Sequence, residues 1–279
     1  MEYQRNDSLR LRFTEPDPDG EPIFTSITGP GKLEASRKRH NDPTLRASDR
    51  QMNDLSVGQR SFFLEPEPTR QLLDFCMINN VSMTNLFLMG LRTYLSKVNN
   101  GEPDISVKNY VSRRTSRVSR YSGGTRVHCF PCRTILSPDT EFIDGILKIQ
   151  CLQNDVYRHA NYDSTKAVKH YFDAYHTPPK MTYESVALTY QPLPIRLQNE
   201  NLANIPYQTS WFTNGTAIQE LYLTVMHNST DLGLEFYFKY QLAEVSDHDV
   251  ELLYYYLMRI LFMGIKNPEM SIGEIIERV

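Results

Sequence analysis

Two segments near the end of the chain alternate apolar and polar side chains, and this alternation constrains the fold more than any other feature. Residues 221–226 read Leu-Tyr-Leu-Thr-Val-Met, and residues 234–241 read Leu-Glu-Phe-Tyr-Phe-Lys-Tyr-Gln. A period of two is typical of β-strands that bury one face. Residues 228–231, Asn-Ser-Thr-Asp, have the side chains that favour turns. The sequence therefore predicts a β-hairpin, with His227 in its turn.

Helices are predicted elsewhere, where apolar residues recur every three or four positions. Short strands are expected at 61–65, 104–112 and 183–190. Prolines in a first turn and Ser N-caps mark the helix starts. The expected starts are, in chain order, Pro68, Ser82 as an N-cap, Pro138 with Asp139, and Ser246, which has capping-box spacing to Asp249. Helices combined with crossover and hairpin strands indicate an α/β sandwich with a mixed sheet.

The first sixty residues differ from the rest. Residues 1–60 are rich in Pro, Asp, Arg and Lys and show no sustained apolar period. Such a composition favours an extended arm or linker. We therefore expect one folded unit over residues 61–279, preceded by this arm.

Charge and composition exclude several classes of protein. The net charge of −3 argues against a dedicated nucleic-acid binder. The first residues lack the apolar stretch of a secretory leader. The longest apolar run, residues 252–265, is too short to span a bilayer and contains Arg259. We expect a cytoplasmic protein that binds neither nucleic acid nor membrane.

Residues 104–133 carry a resemblance to a known family. A strand that ends in two arginines is followed by residues 123–133, Gly-Gly-Thr-Arg-Val-His-Cys-Phe-Pro-Cys-Arg. This run resembles the Gly-x-x-Val-Asn-x-x-Pro-x-Arg signature of the condensation domains of non-ribosomal peptide synthetases. Further stretches that resemble the family follow in the same order, at residues 158–163, 183–191 and 231–240.

The resemblance covers the C-terminal subdomain of that family from about residue 61. It implies a chloramphenicol-acetyltransferase-like fold, here a two-layer α/β sandwich formed by a single subdomain. It also implies acyl transfer between thioesters, with no bound cofactor and with the phosphopantetheine arms of carrier proteins as substrates. The family's catalytic loop, His-His-x-x-x-Asp-Gly, has no counterpart in this sequence. We therefore interpret the chain as a truncated or split condensation domain that is inactive alone.

Histidines and arginines are the candidates for a functional site. His128 replaces the Asn of the family signature and is the low-probability catalytic candidate, because a histidine can titrate near neutral pH. A structural strand histidine is the alternative. His227, in the predicted turn, is a weaker catalytic candidate. The residues assigned to the substrate tunnel or the subdomain interface are Arg113, Arg114, Gly124, His128, Arg133 and His159.

Cys129 and Cys132 have the spacing of a redox or zinc motif. Residues three apart on a strand point to opposite faces, so the two sulfurs should not meet. Neither Cys76 nor Cys151 supplies a second ligand pair. We predict buried, reduced cysteines and no metal site.

Three functions remain open from the sequence. The chain is a condensation half that works with carrier proteins and a separately encoded N-terminal half, a non-catalytic module that binds carrier proteins, or a stand-alone acyltransferase that uses His128. A single subdomain should expose apolar and aromatic side chains on the junction face of its sheet. We therefore also expect self-association or a partner interface of roughly 1,600 Å² or more. The alternative is that residues 1–40 fold back and cover part of this face, for which Phe13, Ile23, Phe24 and Ile27 are suitably apolar.

Overall fold

A computed structural model describes residues 48–49, 54–112, 114, 116–121, 127–159, 165–166, 169, 173, 181–182, 185–191, 211–227 and 233–279. Most of the predicted arm therefore lies outside the described residues. So do two of the candidate site residues, Arg113 and Gly124.

A six-stranded mixed sheet organises the described chain, in the order β2-β8-β7-β6-β3-β4. Its centre is parallel, because β6 pairs parallel with both β3 and β7, and the outer pairs are antiparallel. A two-stranded sheet, β1 with β5, lies apart from it. The strands are β1 Ser48–Asp49, β2 Val57–Leu64, β3 Asp104–Ser112, β4 Val127–Ile135, β5 Met181–Thr182, β6 Val186–Gln191, β7 Leu221–His227 and β8 Leu234–Gln241.

Helices cover one face of this sheet. Phe87 on the second helix contacts the rings of Tyr190 and Phe236, and Gln153 on the fourth bonds Asn109 of β3. All of these strand residues point to the same face, so the fold has two layers. The helices are α1 Pro66–Ile78, α2 Met83–Val98, α3 Arg117–Tyr121, α4 Phe142–Arg158, α5 Asp247–Lys266 and α6 Ile272–Arg278.

The hairpin and the caps agree with the sequence. Strands β7 and β8 pair antiparallel across the predicted turn. The Ser82 side chain accepts a hydrogen bond from the backbone N–H of Asn85, and Ser246 forms the expected capping box with Asp249. Strand Val127–Ile135 lies beside β3, as the family signature requires. The α/β sandwich with a mixed sheet is confirmed.

Several element boundaries were wrong. Helix α1 begins at Pro66 rather than at Pro68, and β6 begins at Val186 rather than at residue 183. Strand β2 begins at Val57 rather than at Ser61, because it pairs with β8 along its whole length. Helix α4 begins at Phe142 rather than at Pro138, since residues 138–140 form a turn that bonds to the start of α6. His227 is the last residue of β7 and not part of the turn.

The helix-facing side of the sheet is the hydrophobic core. Strand residues such as Leu223, Phe236 and Phe238 are fully buried there against α2 and α5. No described helix is long and apolar enough to cross a membrane by itself. Helices α1 and α2 would reach that length and composition only when taken together, across a bend of 108°.

Candidate functional site

One edge of the sheet brings together several side chains that could take part in binding or catalysis. Strands β3, β6 and β7 are parallel and end at this edge, and β4 begins there. We call it the carboxyl edge and define it by Ser112, Gln191, His227 and Val127. In sheets with parallel strands, ligands commonly bind beyond the carboxyl ends of the strands.

A tyrosine and a histidine form a hydrogen-bonded pair at the carboxyl edge. The Tyr190 hydroxyl lies 2.9 Å from Nε2 of His227, across the ends of adjacent parallel strands. His227 is buried and Tyr190 is half-buried, with its ring against Phe87. Burial raises the pKa of Tyr190 to about 12, so its hydroxyl stays protonated near neutral pH. The pair can orient a group at the rim through hydrogen bonds.

The sequence contains a signal for this pair in the alternation of β7. Leu221, Leu223 and Val225 define the inner face of β7, and one further step of two residues places His227 on that face. We predicted His227 in the turn because residues 228–231 favour a turn, although the alternation of β7 also extends to His227. Tyr190 was placed on a strand, but sequence alone does not show which neighbouring strand it meets.

His128 also lies at the carboxyl edge. It is the second residue of β4, stands opposite Val111 of β3, and is half-buried. By strand alternation its side chain points to the helix-facing side, where its ring centroid lies 6.0 Å from that of Phe130. His128, Tyr190 and His227 therefore lie on the same face and at the same edge, on three different strands.

Of the predicted arginines, Arg114 lies at this edge and Arg133 does not. Arg114 follows the end of β3, where its backbone N–H lies 3.4 Å from the Ser112 hydroxyl. Arg133 lies near the opposite end of β4. It binds the Asp104 carboxylate with two nitrogens, Nε at 3.0 Å and Nη2 at 2.7 Å. Arg114 therefore lies at the carboxyl edge, whereas Arg133 has a separate, buried partner.

His159 is the C-cap of α4 and is exposed. Its backbone N–H donates to the Val156 carbonyl. The last turn of α4 lies over β3, because Gln153 accepts a 2.7 Å hydrogen bond from Asn109. His159 therefore lies on the carboxyl side of the molecule, at its surface.

The four cysteines are free thiols in different environments. Cys132 faces the helices and is buried, which raises its pKa to about 11. Cys129 faces the other side and is only half-buried, so the prediction of two buried cysteines is wrong for Cys129. The two sulfurs lie on opposite faces, as predicted. Within the described ranges, no group of three potential ligands is placed to hold a metal ion.

Exposed apolar side chains concentrate along the carboxyl edge. Of the thirteen large apolar side chains that are exposed in the described ranges, seven lie in the last two residues of β2, α1 or α4, in α3, or at the start of β4. The face of the sheet opposite the helices is more closed than we expected, since Ala187, Thr224 and Tyr237 are buried on it. The seven exposed residues are Phe63, Met77, Ile78, Val118, Tyr121, Val127 and Tyr157.

Comparison with known proteins identifies a family whose model matches this sequence. The family model described as Condensation domain matches residues 34–276. Among curated proteins, a plipastatin synthase of Bacillus subtilis (strain 168) is 22% identical over 225 residues, which are 81% of this chain and 8% of that protein.

Solved structures of the same fold are similar at low identity. The first condensation domain of the calcium-dependent antibiotic synthetase has a TM-score of 0.63 and 16% identity, over 87% of this chain and 53% of that chain. The X-domain from teicoplanin biosynthesis has a TM-score of 0.65 and 15% identity, over 98% of this chain and 57% of that one. A four-domain nonribosomal peptide synthetase bound to AMP and glycine has a TM-score of 0.67 and 15% identity, over 88% and 20%. The chain thus spans about half the length of the first two.

Proposed function

This chain belongs to the condensation-domain family, and from that premise we propose that it forms one half of a peptide-bond-forming unit that acts on carrier-bound thioesters. The chain matches the family over residues 34–276. The sequence contains no His-His-x-x-x-Asp-Gly loop, the family's source of acid–base chemistry. The proposed half-unit therefore needs a second polypeptide surface to complete its site.

The distribution of exposed apolar side chains is the observation that carries this proposal. Met77 and Ile78 at the end of α1, and Val118 and Tyr121 on α3, are each more than 70% exposed beside the carboxyl edge. Exposed apolar side chains gathered on one side of a domain favour an interface with another protein surface. His128, Tyr190 and His227 lie at that same edge, where a completing surface would enclose them.

Acyl transfer from one thioester to an amine needs a hydrogen-bond acceptor for the amine, a donor for the oxyanion and a site that excludes water. On this chain the His227–Tyr190 pair and His128 are the groups that can hold a proton near the edge. We propose that they position the carrier-bound substrate, and that the completing surface supplies the base. The phosphopantetheine arms enter as substrates, and the chain itself binds no cofactor in this proposal.

The test uses a panel of aminoacyl carrier proteins. Holo carriers, which bear the phosphopantetheine arm, should bind the full chain more tightly than apo carriers in fluorescence anisotropy. Mixtures of loaded donor and acceptor carriers should give no dipeptidyl product by mass spectrometry. Equal binding of the apo and holo forms would contradict the proposal.

A second candidate is a stand-alone acyltransferase that uses His128, which the half-exposed position of His128 at the edge favours. In that case the same mixtures give product, and His128→Ala abolishes it. His248→Ala is the matched control, because this histidine lies in the first turn of α5, which follows the end of β8 at the opposite edge of the sheet, and it should leave product formation unchanged. Product that depends on His128 would therefore replace the half-unit proposal with this one.

A further inference from the structure

The chain carries two long stretches of opposite charge. Residues 105–138 contain seven cationic residues, Lys108, Arg113, Arg114, Arg117, Arg120, Arg126 and Arg133, and no Asp or Glu. Residues 13–31 contain four carboxylates, Glu15, Asp17, Asp19 and Glu21, and no Lys or Arg. Since the whole chain has a net charge of only −3, this separation of charge is local.

Two described residues of the cationic stretch lie at the carboxyl edge. Within the described residues, Arg114 follows β3 and Arg117 opens α3, where it is exposed. Val118 and Tyr121 on α3 are more than 80% exposed, and Val127 at the start of β4 is about half exposed. This part of the edge is therefore both cationic and apolar.

The acidic stretch has the matching composition. Phe13, Ile23, Phe24 and Ile27 accompany its four carboxylates. The family match begins at residue 34, so residues 13–31 lie outside it. We propose that residues 13–31 dock on the carboxyl edge of their own chain, with the carboxylates facing Arg114 and Arg117 and the apolar side chains facing Val118, Tyr121 and Val127.

The length of the chain permits this contact. Strand β1 pairs with β5, which precedes β6 by a few residues, so residue 48 is tied near the amino ends of the parallel strands. The sequence has residues 32–47 between the segment and residue 48, and a stretch of this length can span up to ~50 Å at ~3.3 Å per residue. The nine residues of β3, from that end to the carboxyl edge, cover about 30 Å.

This contact goes beyond acyl transfer and does not depend on it. A docked segment shields the edge from other anionic or apolar surfaces, so any partner that uses the edge must displace it. Because the segment is tethered, its effective concentration is on the order of 1 mM, and displacement weakens the apparent affinity of a competitor.

A labelled peptide of residues 13–31 tests the docking on the full chain. The first variant carries Glu15→Lys, Asp17→Lys, Asp19→Lys and Glu21→Lys, which disables its own segment. We expect the peptide to bind this variant about 10-fold more tightly than the wild type, where the tethered segment competes. Binding should weaken as salt is raised, because exposed charges are screened.

Adding Arg114→Glu and Arg117→Glu to the first variant should weaken peptide binding by a further 10-fold or more on the same scale. The matched control adds Lys148→Glu and Lys266→Glu, two exposed helical lysines outside the cationic stretch, and should leave binding within about twofold.

Three results would overturn the proposal: equal binding to the wild type and the first variant, no binding to either, or equal losses from the arginine and lysine pairs. Sedimentation of the wild type measures its oligomeric state and so tests whether the segment docks on a second copy of the chain. A dimer that dissociates in the first variant would mean that the segment docks on a second copy, which contradicts docking within one chain.

Discussion

Strand β2 closes one side of the sheet and strand β4 closes the other, and each pairs antiparallel with a single neighbour. On β2 the polar contacts lie at the surface. Arg60 binds Asp247 at 2.5 Å with both side chains about half exposed, and the Tyr240 hydroxyl donates to the same carboxylate. On β4 the corresponding ion pair is internal, because the Asp104 side chain is inaccessible to solvent.

The difference shows that similar ion pairs can contribute unequally to the stability of the fold. An exposed pair can exchange its partner for water at little cost. A buried carboxylate that loses its cation keeps an uncompensated charge in a medium of low dielectric constant. We therefore expect β4 to depend on Arg133 far more than β2 depends on Arg60.

The largest effect should come from Arg133→Met, which keeps an apolar stem but removes the cation from Asp104. Breaking a buried pair typically costs about 3–5 kcal/mol, so urea unfolding should show a loss of that order. Asp104→Asn is the reciprocal change: Arg133 is partly exposed and can reach water, but the buried Arg92 also loses the attraction of this carboxylate, so a clear loss is expected here too.

The double variant Arg133→Met with Asp104→Asn should recover part of the loss, since the carboxylate that Arg133 neutralises is then absent. The recovery should be incomplete, because Arg92 stays buried and loses the attraction of Asp104. Labelling of Cys132 gives a local measure. This thiol lies on β4 beside Arg133 and is buried, so Arg133→Met should speed its alkylation more than that of Cys76. A loss from Arg133→Met no larger than that from Arg60→Met would remove the contrast between the two edges.

The second effect concerns close packing on β2. A Cβ added at Gly58 would lie 2.3 Å from Cε2 of Tyr240, a ring that is fully buried. Gly58→Ala must therefore displace the ring, and overpacking of this kind costs about 1–3 kcal/mol. Thermal unfolding measures it. Gly273→Ala is the control, because its nearest contact would be 3.3 Å and it should cost clearly less.

The sequence predicted strands β8 and β4 better than it predicted the contacts that hold the two edge strands. The alternation of residues 234–241 and the signature at 123–133 placed β8 and β4 correctly, since each is a local pattern. The pairing of Arg133 with Asp104 depends on the register of β3 against β4, which sets Ser106 opposite Arg133. A register of this kind is decided by the whole sheet, so no local pattern contains it.

The carboxyl edge shows the same limit. The family resemblance assigned Arg114 and His128 to a substrate tunnel or subdomain interface, which stays a prediction, and the structure puts both residues at this edge. The sequence did not predict the Tyr190–His227 pair, because those residues meet only through the parallel pairing of β6 with β7. To predict contacts between residues that are distant in sequence, one must know the order of the strands in the sheet. The sequence motifs predicted the fold class but not this order.

The third effect should be small. Arg60→Met removes the exposed cation of β2 and keeps the stem. Because both partners are about half exposed, the shift in the urea midpoint should be a minor fraction of that from Arg133→Met. Raising the salt concentration should shrink it further, whereas the loss from Arg133→Met should persist in salt. A salt-insensitive loss from Arg60→Met would indicate that the surface pair is more shielded than its exposure suggests.

The smallest expected effect is a dependence of the free energy of unfolding on pH, which arises at Asp247, the partner of Arg60 on β2. The hydrogen bond from Tyr240, and then that from Arg60, hold the pKa of Asp247 below its ordinary value. A carboxyl group with a lowered folded pKa binds its proton more readily when unfolded, so its stabilisation is complete above pH ~4 and is lost as the pH falls through the folded value. The urea midpoint of the wild type should therefore exceed that of Asp247→Asn at pH 7, and the gap should narrow below about pH 4. A gap that stayed constant down to pH 2 would show that Asp247 contributes through its shape rather than its charge, and that the two edges differ less in electrostatics than their ion pairs imply.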